Sequence, residues 1–398
     1  MLSEDDKDFL LRAGEEPEIL GTDKYIDIQL GNGFSRLTLQ MGPNCNRSCF
    51  HCYGKFGPDR IGLPSVSVVG KALEEAVEIG LEEVSVTDGE PFREENRRVV
   101  EKIAGYSSRL PTFFITNGSF AGTLESSLDW FYFLKDSGFG LENEGNSIEV
   151  SCGTMYPTDS RDFWRISEGL RQVYGDIDFG NHLSYRLIAF DGDNSKQVFE
   201  NVVGAVGYVF GMEDISASEK KDCLEILMTL KNRVTPMKIR RVYCRPVGRA
   251  SQMTSLQKKF PLRKVESSDL GFFPDLFNSL WIGHDGRVSF GGSGRCIYDG
   301  KIYGNVQDDS LEKIKQRISS DPVYIGFKLG GVRFIHFLVE NIHPEFVGEG
   351  RTRCDVCASI FSDSGLVGEV RKKLDSCGVV ESYKGFIEQF DIGEKKYF

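Results

Sequence analysis

The chain predicts an α/β protein: a partial (β/α)6 barrel followed by a smaller C-terminal α+β domain. Three observations predict it. From residue 35 to about 250, short β-rich runs alternate with stretches of helical periodicity, the pattern of parallel strands joined by crossover helices. Near 250 the alternation stops and a hairpin signal takes over. The residues with chemical potential fall just after strands, where ligands gather in parallel sheets whether open or rolled into a barrel.

SRLTLQM (35–41) is the first strand and VVGKALEEAVEIG its helix. EEVSVT (82–87) precedes ENRRVVEKIAGY, PTFFITNG (111–118) precedes SLDWFYFLKDSG, and SIEVSC (147–152) precedes RDFWRISEGLRQVYG. LSYRLIAF (183–190) leads into QVFENVVGAVGYVFG and a further helix over EKKDCLEILMTLKN, and MKIRRVYCRPVG (237–248) is the sixth strand. Beyond it, SLWIGHDGRVSFGG (279–292) alternates around a central Asp-Gly, as a hairpin does. A loop, the helical SLEKIKQRISS, a Phe-rich apolar segment, the pair C-D-V-C (354–357) and a helix around 366–376 complete the chain. The expected organisation is an N-terminal extension (1–34), the partial barrel (35–250), the second domain (251–365) and a C-terminal helix and tail (366–398).

Composition excludes several classes. With 398 residues, 40% hydrophobic and 12% aromatic, the chain can bury the cores of two domains. Fifty-nine acidic against 48 basic residues leave a net charge of −11 and no block of five like charges, so no basic groove for nucleic acid is visible. The start, MLSEDDKDFLL, does not resemble a secretory signal, and no run reaches the roughly 18 apolar residues of a spanning helix. The expectation is a cytoplasmic protein with no membrane partner. In a reducing compartment its ten cysteines point to metal or catalysis rather than disulfides.

NCNRSCFHCYG (44–54) sets Cys45, Cys49 and Cys52 at spacing C-x3-C-x2-C directly after the first strand. Structural zinc closes a tetrahedron with four ligands, and here the fourth would be His51, crowded between two cysteines, or a distant residue. Core cysteines are the other alternative, but Asn44, Asn46, Arg47 and Ser48 make the stretch too polar for a core strand. A [4Fe–4S] cluster is held by thiolates, and three ligands leave one iron open for a substrate or cofactor.

These residues resemble the radical S-adenosylmethionine (SAM) superfamily: C-x3-C-x2-C after the first strand of a partial barrel, with His51 as the aromatic-type residue before the third cysteine. The resemblance implies a cluster whose open iron chelates SAM. It also implies reductive cleavage of SAM to methionine and a 5′-deoxyadenosyl radical that abstracts a substrate hydrogen, with an electron donor such as flavodoxin or ferredoxin. TDGEP (87–91) stands where the family has a GGEP-type loop lining the SAM amino group, which implicates Gly89, Glu90 and Pro91; Asp88 departs from the family's first glycine. Asn117 in ITNG matches a strand-end position facing the cofactor. Ser151 in VSCG matches a serine near the SAM ribose or carboxylate, and Arg186 matches a carboxylate partner. Each also has a plain structural alternative: a turn, a loop dipeptide, an ion pair.

The C-terminal part resembles the SPASM/twitch extensions of the same superfamily through HDGRV (284–288), Cys296, YGNV (303–306) and the pair Cys354 and Cys357. The resemblance implies an auxiliary iron–sulfur cluster on Cys296, Cys354 and Cys357. The full pattern has more cysteines, and Ser289 and Phe290 stand where one is usual. The fourth position is either open or filled by Cys244, Cys377 or another residue, and a zinc knuckle on C-D-V-C is the alternative.

Cys152 and Cys244 end strands four and six, where a thiol could return a hydrogen atom to a substrate radical; a small buried residue is the alternative for Cys152. The leading expectation is therefore a radical SAM oxidoreductase acting on a small molecule or peptide, by dehydrogenation, epimerisation or bond formation. Trp281, Phe290 and Tyr298 could line its site or belong to the core. A non-enzymatic iron–sulfur or zinc scaffold and an RNA-modifying radical SAM enzyme are the alternatives, the latter disfavoured by the acidic charge.

Overall fold

The computed structural model describes residues 34–49, 52, 55–153, 160–175, 179–189, 195–210, 212–220, 223–230, 233–243, 263–264, 278–291, 301–343, 349–350 and 353–380. They belong to two compact units, one of Thr38–Ala250 with Gly283–Gly286, the other of Met1–Leu37, Ser251–Ile282 and Arg287–Phe398. The expected N-terminal extension lies outside the described residues up to 33.

The first unit carries the expected alternation: β1 (Arg36–Gln40), α1 (Val66–Glu78), β2 (Glu83–Thr87), α2 (Arg97–Ala104), β3 (Thr112–Thr116), α3 (Leu124–Asp136), β4 (Ser147–Gly153), α4 (Ser160–Tyr174), α5 (Phe179–His182), β5 (Leu183–Ala189) and α6 (Ser195–Phe210). Then come β6 (Met212–Lys220), β7 (Cys223–Leu230) and β8 (Arg233–Tyr243). The strand order is β1-β2-β3-β4-β5-β8-β7-β6. β2 to β5 and then β8 pair in parallel, while β6, β7 and β8 form an antiparallel meander.

The meander corrects one expectation. The described residues of EKKDCLEILMTLKN (219–220 and 223–230) lie in strands rather than in the expected helix. Lys220 pairs with Cys223 and Leu230 with Arg233, leaving two residues for each connection, the length that favours tight hairpins. In CLEILMTL the residues Leu224, Ile226, Met228 and Leu230 recur with period two, so the same apolar set serves a strand as well as it serves a helix.

Helix ends explain how the strands are brought into line. α1 buries Val68, Val69, Ala72, Leu73 and Ala76, one stripe of a 3.6-residue period. It stops at Gly80 (φ +74), where the Gly80 and Leu81 N–H groups donate to the carbonyls of Val77 and Ala76 in a Schellman arrangement. α3 starts with a reciprocal Thr123–Ser126 capping box and ends the same way at Gly138 (φ +99).

Register sorts the sheet into two faces. Ile148, Val150 and Cys152 of β4 share one face with Phe114 and Tyr185, since Phe114 aligns with Ile148 and Val150 with Tyr185. This is the helix-packed face: the Tyr185 ring lies edge-on to Phe163 of α4 with centroids 5.5 Å apart, and its hydroxyl sits 3.3 Å from that of Ser167. Ser147, Glu149 and Ser151 point the other way, aligned with Phe113, Ile115 and Arg186.

In the second unit β10 (Ser279–Ile282) and β11 (Arg287–Gly291) pair as the expected hairpin, whose turn at Asp285 and Gly286 (φ +82) groups with the first unit, and β12 (Gly304–Asn305) adds to β11. A two-residue pair joins β9 (Arg263–Lys264) to β13 (Glu349–Gly350). α7 (Leu311–Ser319), α8 (Pro322–Ile342), α9 (Arg353–Phe361) and α10 (Ser364–Ser376) complete it. The Phe-rich segment is α8, started by the Asp321 carboxylate accepting from the Val323 N–H at 2.7 Å with Pro322 at the first helical position. Phe290 is fully buried against Tyr324 and Phe327, and Trp281 is buried too, so both belong to the core.

Candidate functional site

The carboxyl ends of β1, β2 and β3 are laced together by the chain itself. The Met41 N–H donates to the carbonyls of Thr87 (2.9 Å) and Asp88 (3.1 Å), and Gln40 Nε2 donates to Asp88 Oδ2 at 2.7 Å. Asp88 (φ 62) and Gly89 (φ 77) are both left-handed. Asp tolerates that region better than most residues, and here its side chain is also used, which explains why it stands where a glycine is expected. Gly89 cannot be exchanged so easily: a Cβ there would sit 2.5 Å from the Gly42 carbonyl oxygen and 3.0 Å from that of Asn44.

The three cysteines follow on a loop closed at its base. Cys45 N–H donates to the Gly57 carbonyl (3.2 Å), Gly57 N–H to that of Pro43 (3.0 Å), and Cys52 N–H to that of Cys49 (3.1 Å). The Phe56 N–H donates to Cys52 Sγ at 3.3 Å. Cys45 and Cys49 are buried and Cys52 is half-buried. Burial pushes the Cys45 thiol up to about 11, and the charges of Glu90, Cys49 and Cys52 push the same way against a backbone bond from Arg47. Three adjacent thiolates at this place therefore need a compensating cation, which a metal centre provides. Among the described residues no three His, Cys, Asp or Glu side chains converge on one point; the thiols are neighbours rather than gathered ligands.

Glu90 is the hub of the site. It is completely buried, and Oε1 accepts from the Thr116 hydroxyl (2.6 Å) and the Phe92 N–H (3.0 Å) while Oε2 accepts from the Asn117 N–H (2.7 Å). Burial raises its pKa; those three bonds and the charge of Arg47 work in the opposite direction. Asn96 Nδ2 donates to the Glu90 carbonyl at 2.8 Å. Phe92, two residues on, packs against Phe114, Phe120 and Trp130 with centroids 5.1 to 5.4 Å apart, anchoring the loop in the core. Burying such a ring contributes about 1.5–3 kcal/mol.

Asn117 carries the connection to the cysteines. Its Nδ2 donates to Asn46 Oδ1 (2.9 Å) and lies 3.8 Å from Cys45 Sγ, while Asn46 Nδ2 donates to Ser119 Oγ at 2.6 Å. Arg93 Nη1 donates to Asn44 Oδ1 at 2.7 Å and also pairs with Glu95. Glu90, Asn117 and Cys45 thus form one connected set. Thr116, Asn46, Asn44 and Arg93 belong to it and were not singled out from the sequence. The only local signal was the polar pattern N-C-N around Cys45, and the Arg93 link spans 49 residues.

On β4 and β5, Arg186 forms an ion pair of 2.5 Å with the fully buried Glu149, beside Ser151 on the same sheet face. Glu149 is another residue that sequence reasoning passed over. Cys152 occupies the opposite face, among apolar residues, and burial followed by the charge of Glu149 raises its pKa well above the thiol range. The geometry therefore turns Cys152 away from Ser151 and Arg186, against its expected role as a hydrogen donor. Pro91 is buried in the same loop as Glu90. His51, Cys244, Cys296 and Tyr298 lie outside the described residues. Cys354 and Cys357 fall one turn apart on α9, Cys357 half-buried; the side chain of Cys354 is not described.

No protein-family model matches the chain, and no curated protein matches it. Among solved structures, it is similar to BtrN in complex with AdoMet and 2-DOIA, with 14% identity, 75% of this chain and 89% of that chain covered and a TM-score of 0.36. It is similar to histidine-tagged anSMEcpe with bound AdoMet at 12% identity, over 88% of this chain and 99% of that chain, with a TM-score of 0.43. Streptococcus suis SuiB bound to precursor peptide SuiA shows 12% identity over 82% of this chain and 73% of that chain, again with a TM-score of 0.43. All three superpose weakly, so the character of the site rests on this chain's own residues.

Proposed function

We propose that the chain is a radical SAM enzyme whose cluster is held by Cys45, Cys49 and Cys52. The observation that carries this is the joining of a C-x3-C-x2-C loop, through Cys45, Asn117 and Glu90, to the loops after β2 and β3 at the carboxyl edge of a parallel sheet. When bound, a [4Fe–4S] cluster supplies the electron that splits the sulfonium carbon–sulfur bond of SAM, leaving methionine and a 5′-deoxyadenosyl radical that takes a hydrogen atom from the substrate. The three thiols fit such a centre in donor type, since thiolates hold iron, and burial, which raises the Cys45 pKa ahead of the neighbouring charges, makes a Cys45 thiolate costly there without a cation beside it.

The remaining roles are positional. Glu90 fixes the Gly89–Pro91 loop against the end of β3, leaving that loop's backbone beside the thiols for the SAM amino group. Ser151 and Arg186 offer a hydroxyl and a guanidinium for the ribose or carboxylate, with Glu149 orienting the guanidinium. Asn117 holds Cys45 from the side. We assign the auxiliary cluster to Cys296, Cys354 and Cys357 and the substrate to a small molecule or peptide, oxidised or rearranged after hydrogen abstraction.

The test is an anaerobic iron and sulfide count with low-temperature EPR, with and without SAM, on the wild type and the Cys45→Ala/Cys49→Ala/Cys52→Ala protein. About eight irons falling to about four, with loss of a SAM-perturbed signal, is the expected result for two four-iron clusters. Retained SAM cleavage in the triple variant would overturn the assignment. About four irons falling to none would keep the first cluster and remove the second.

A further inference from the structure

The loop that returns from the cysteines exposes apolar surface while being firmly held. Ile61 is 96% exposed and Leu63 43%, with Val66 at the start of α1 38% exposed. Exposed aliphatic residues are ordinary when scattered on flexible surface. These are close together on a pinned segment. Gly57 is bonded to Pro43 and Cys45 at one end. At the other, Gly62 (φ +144) leaves no room for a side chain: a Cβ there would lie 2.6 Å from His284 Nε2 and 2.9 Å from Pro43 Cδ. A Cβ on Gly42 would in turn meet the Gly62 carbonyl oxygen at 2.5 Å. The chain is thus clamped on both sides of a tip that points an isoleucine into solvent.

Charge marks the same tip. Lys55 and Arg60 are exposed and carry no carboxylate partner among the described residues, with Asp59 the one acid between them. The tip thus carries two exposed cations against one acid, in a chain whose net charge is −11. The tip is also close to the thiols in the chain: Lys55 N–H donates to the Cys52 carbonyl (3.3 Å) and Phe56 N–H to Cys52 Sγ (3.3 Å).

We infer that Lys55, Arg60, Ile61 and Leu63 form the docking surface for a small acidic one-electron carrier protein, which delivers its electron to the edge of the site at Cys52. This rests on the function proposed above, whose chemistry consumes one external electron per SAM cleaved: the carrier is oxidised by one electron as the cysteine-held centre is reduced by one. The cations steer the acidic partner and Ile61 supplies the apolar anchor, the usual division between rim and centre of a transient interface.

Reduced flavodoxin is the probe, with dithionite as a small reductant that needs no docking. Ile61→Glu and the pair Lys55→Glu/Arg60→Glu should each raise the Kd for oxidised flavodoxin, measured by calorimetry at low salt, by tenfold or more. Flavodoxin-supported 5′-deoxyadenosine formation should fall in parallel, while iron content and dithionite-supported formation stay at the wild-type level. Ile61→Leu should behave as the wild type. Unchanged flavodoxin affinity in the Glu variants would overturn the docking surface and leave the radical reading standing. Failure of dithionite to support cleavage in the wild type would overturn that reading itself. Self-association lost in Ile61→Glu with flavodoxin affinity intact would assign the surface to a second copy and also overturn the proposal.

Discussion

Replacing Lys328 with methionine should stabilise the protein at neutral pH and remove a pH dependence that the wild type shows. Lys328 on α8 is 3% exposed; its Nζ donates to Asn278 Oδ1 at 2.6 Å and lies 5.6 Å from the centre of the Tyr324 ring. Burial pulls its pKa down from 10.5 to about 7. Between those two values the unfolded chain keeps the proton and the folded chain has released it. Unfolding then takes up a proton, so stability rises with pH across this window and reaches its low plateau below about 7. The slope is ~1.4 kcal/mol per pH unit once the folded group is neutral. Because the group is half protonated at the lower end, the gain from pH 7 to 9 is about 2 kcal/mol. Methionine has nearly the same reach and no charge, and the bond lost to Asn278 offsets about 1 kcal/mol of its benefit. Urea unfolding of both proteins at pH 7 and pH 9 isolates this group, because all other titrations cancel in the difference of differences. A wild-type gain exceeding the variant's by about 2 kcal/mol is expected. Parallel pH dependence, or an NMR titration of the Lys328 ε-methylene with its midpoint near 10, would refute a buried, largely neutral amine.

Two further substitutions probe the site. Glu90→Ala leaves the Thr116 hydroxyl and the Asn117 and Phe92 N–H groups without their acceptor, at a cost of about 3 kcal/mol in anaerobic urea unfolding; a loss below about 0.5 kcal/mol would mean that the hub is not formed. Cys152→Ala removes a small buried side chain and should cost about 1–2 kcal/mol while leaving both 5′-deoxyadenosine and product yields unchanged. Loss of product with 5′-deoxyadenosine intact would restore Cys152 as a hydrogen donor.

The strands β1 to β5 and the β10–β11 hairpin were legible because local pattern and tertiary environment agree there: apolar residues alternate, and Asp-Gly stands where the turn requires a left-handed residue. The stretch 212–230 was not legible in the same way. CLEILMTL satisfies both helical and strand periods, and what decides between them is pairing with β8, a partner further along the chain. Cys45, Asn117 and Glu90 could each be marked by motif. Their joining could not, since the Asn117–Asn46 and Arg93–Asn44 bonds cross 71 and 49 residues.

Cys152 shows which of two sequence signals outranks the other. It stands at a strand end, the position that suggested chemistry, yet its parity along SIEVSC places it with Ile148 and Val150 rather than with Glu149 and Ser151. In a parallel sheet packed by helices on one face, that parity decides which side a residue serves before its closeness to the strand end matters. The same count would have picked out Glu149, an acid two residues before Ser151 on the polar face and the partner of Arg186. Polar parity is therefore the condition that all the site residues share, and strand-end position ranks them. Ser151, near the end of β4, has both; Glu149 and Arg186, at the middle of their strands, have the parity and are brought to Ser151 by sequence neighbourhood and by register; Cys152 has the position without the parity.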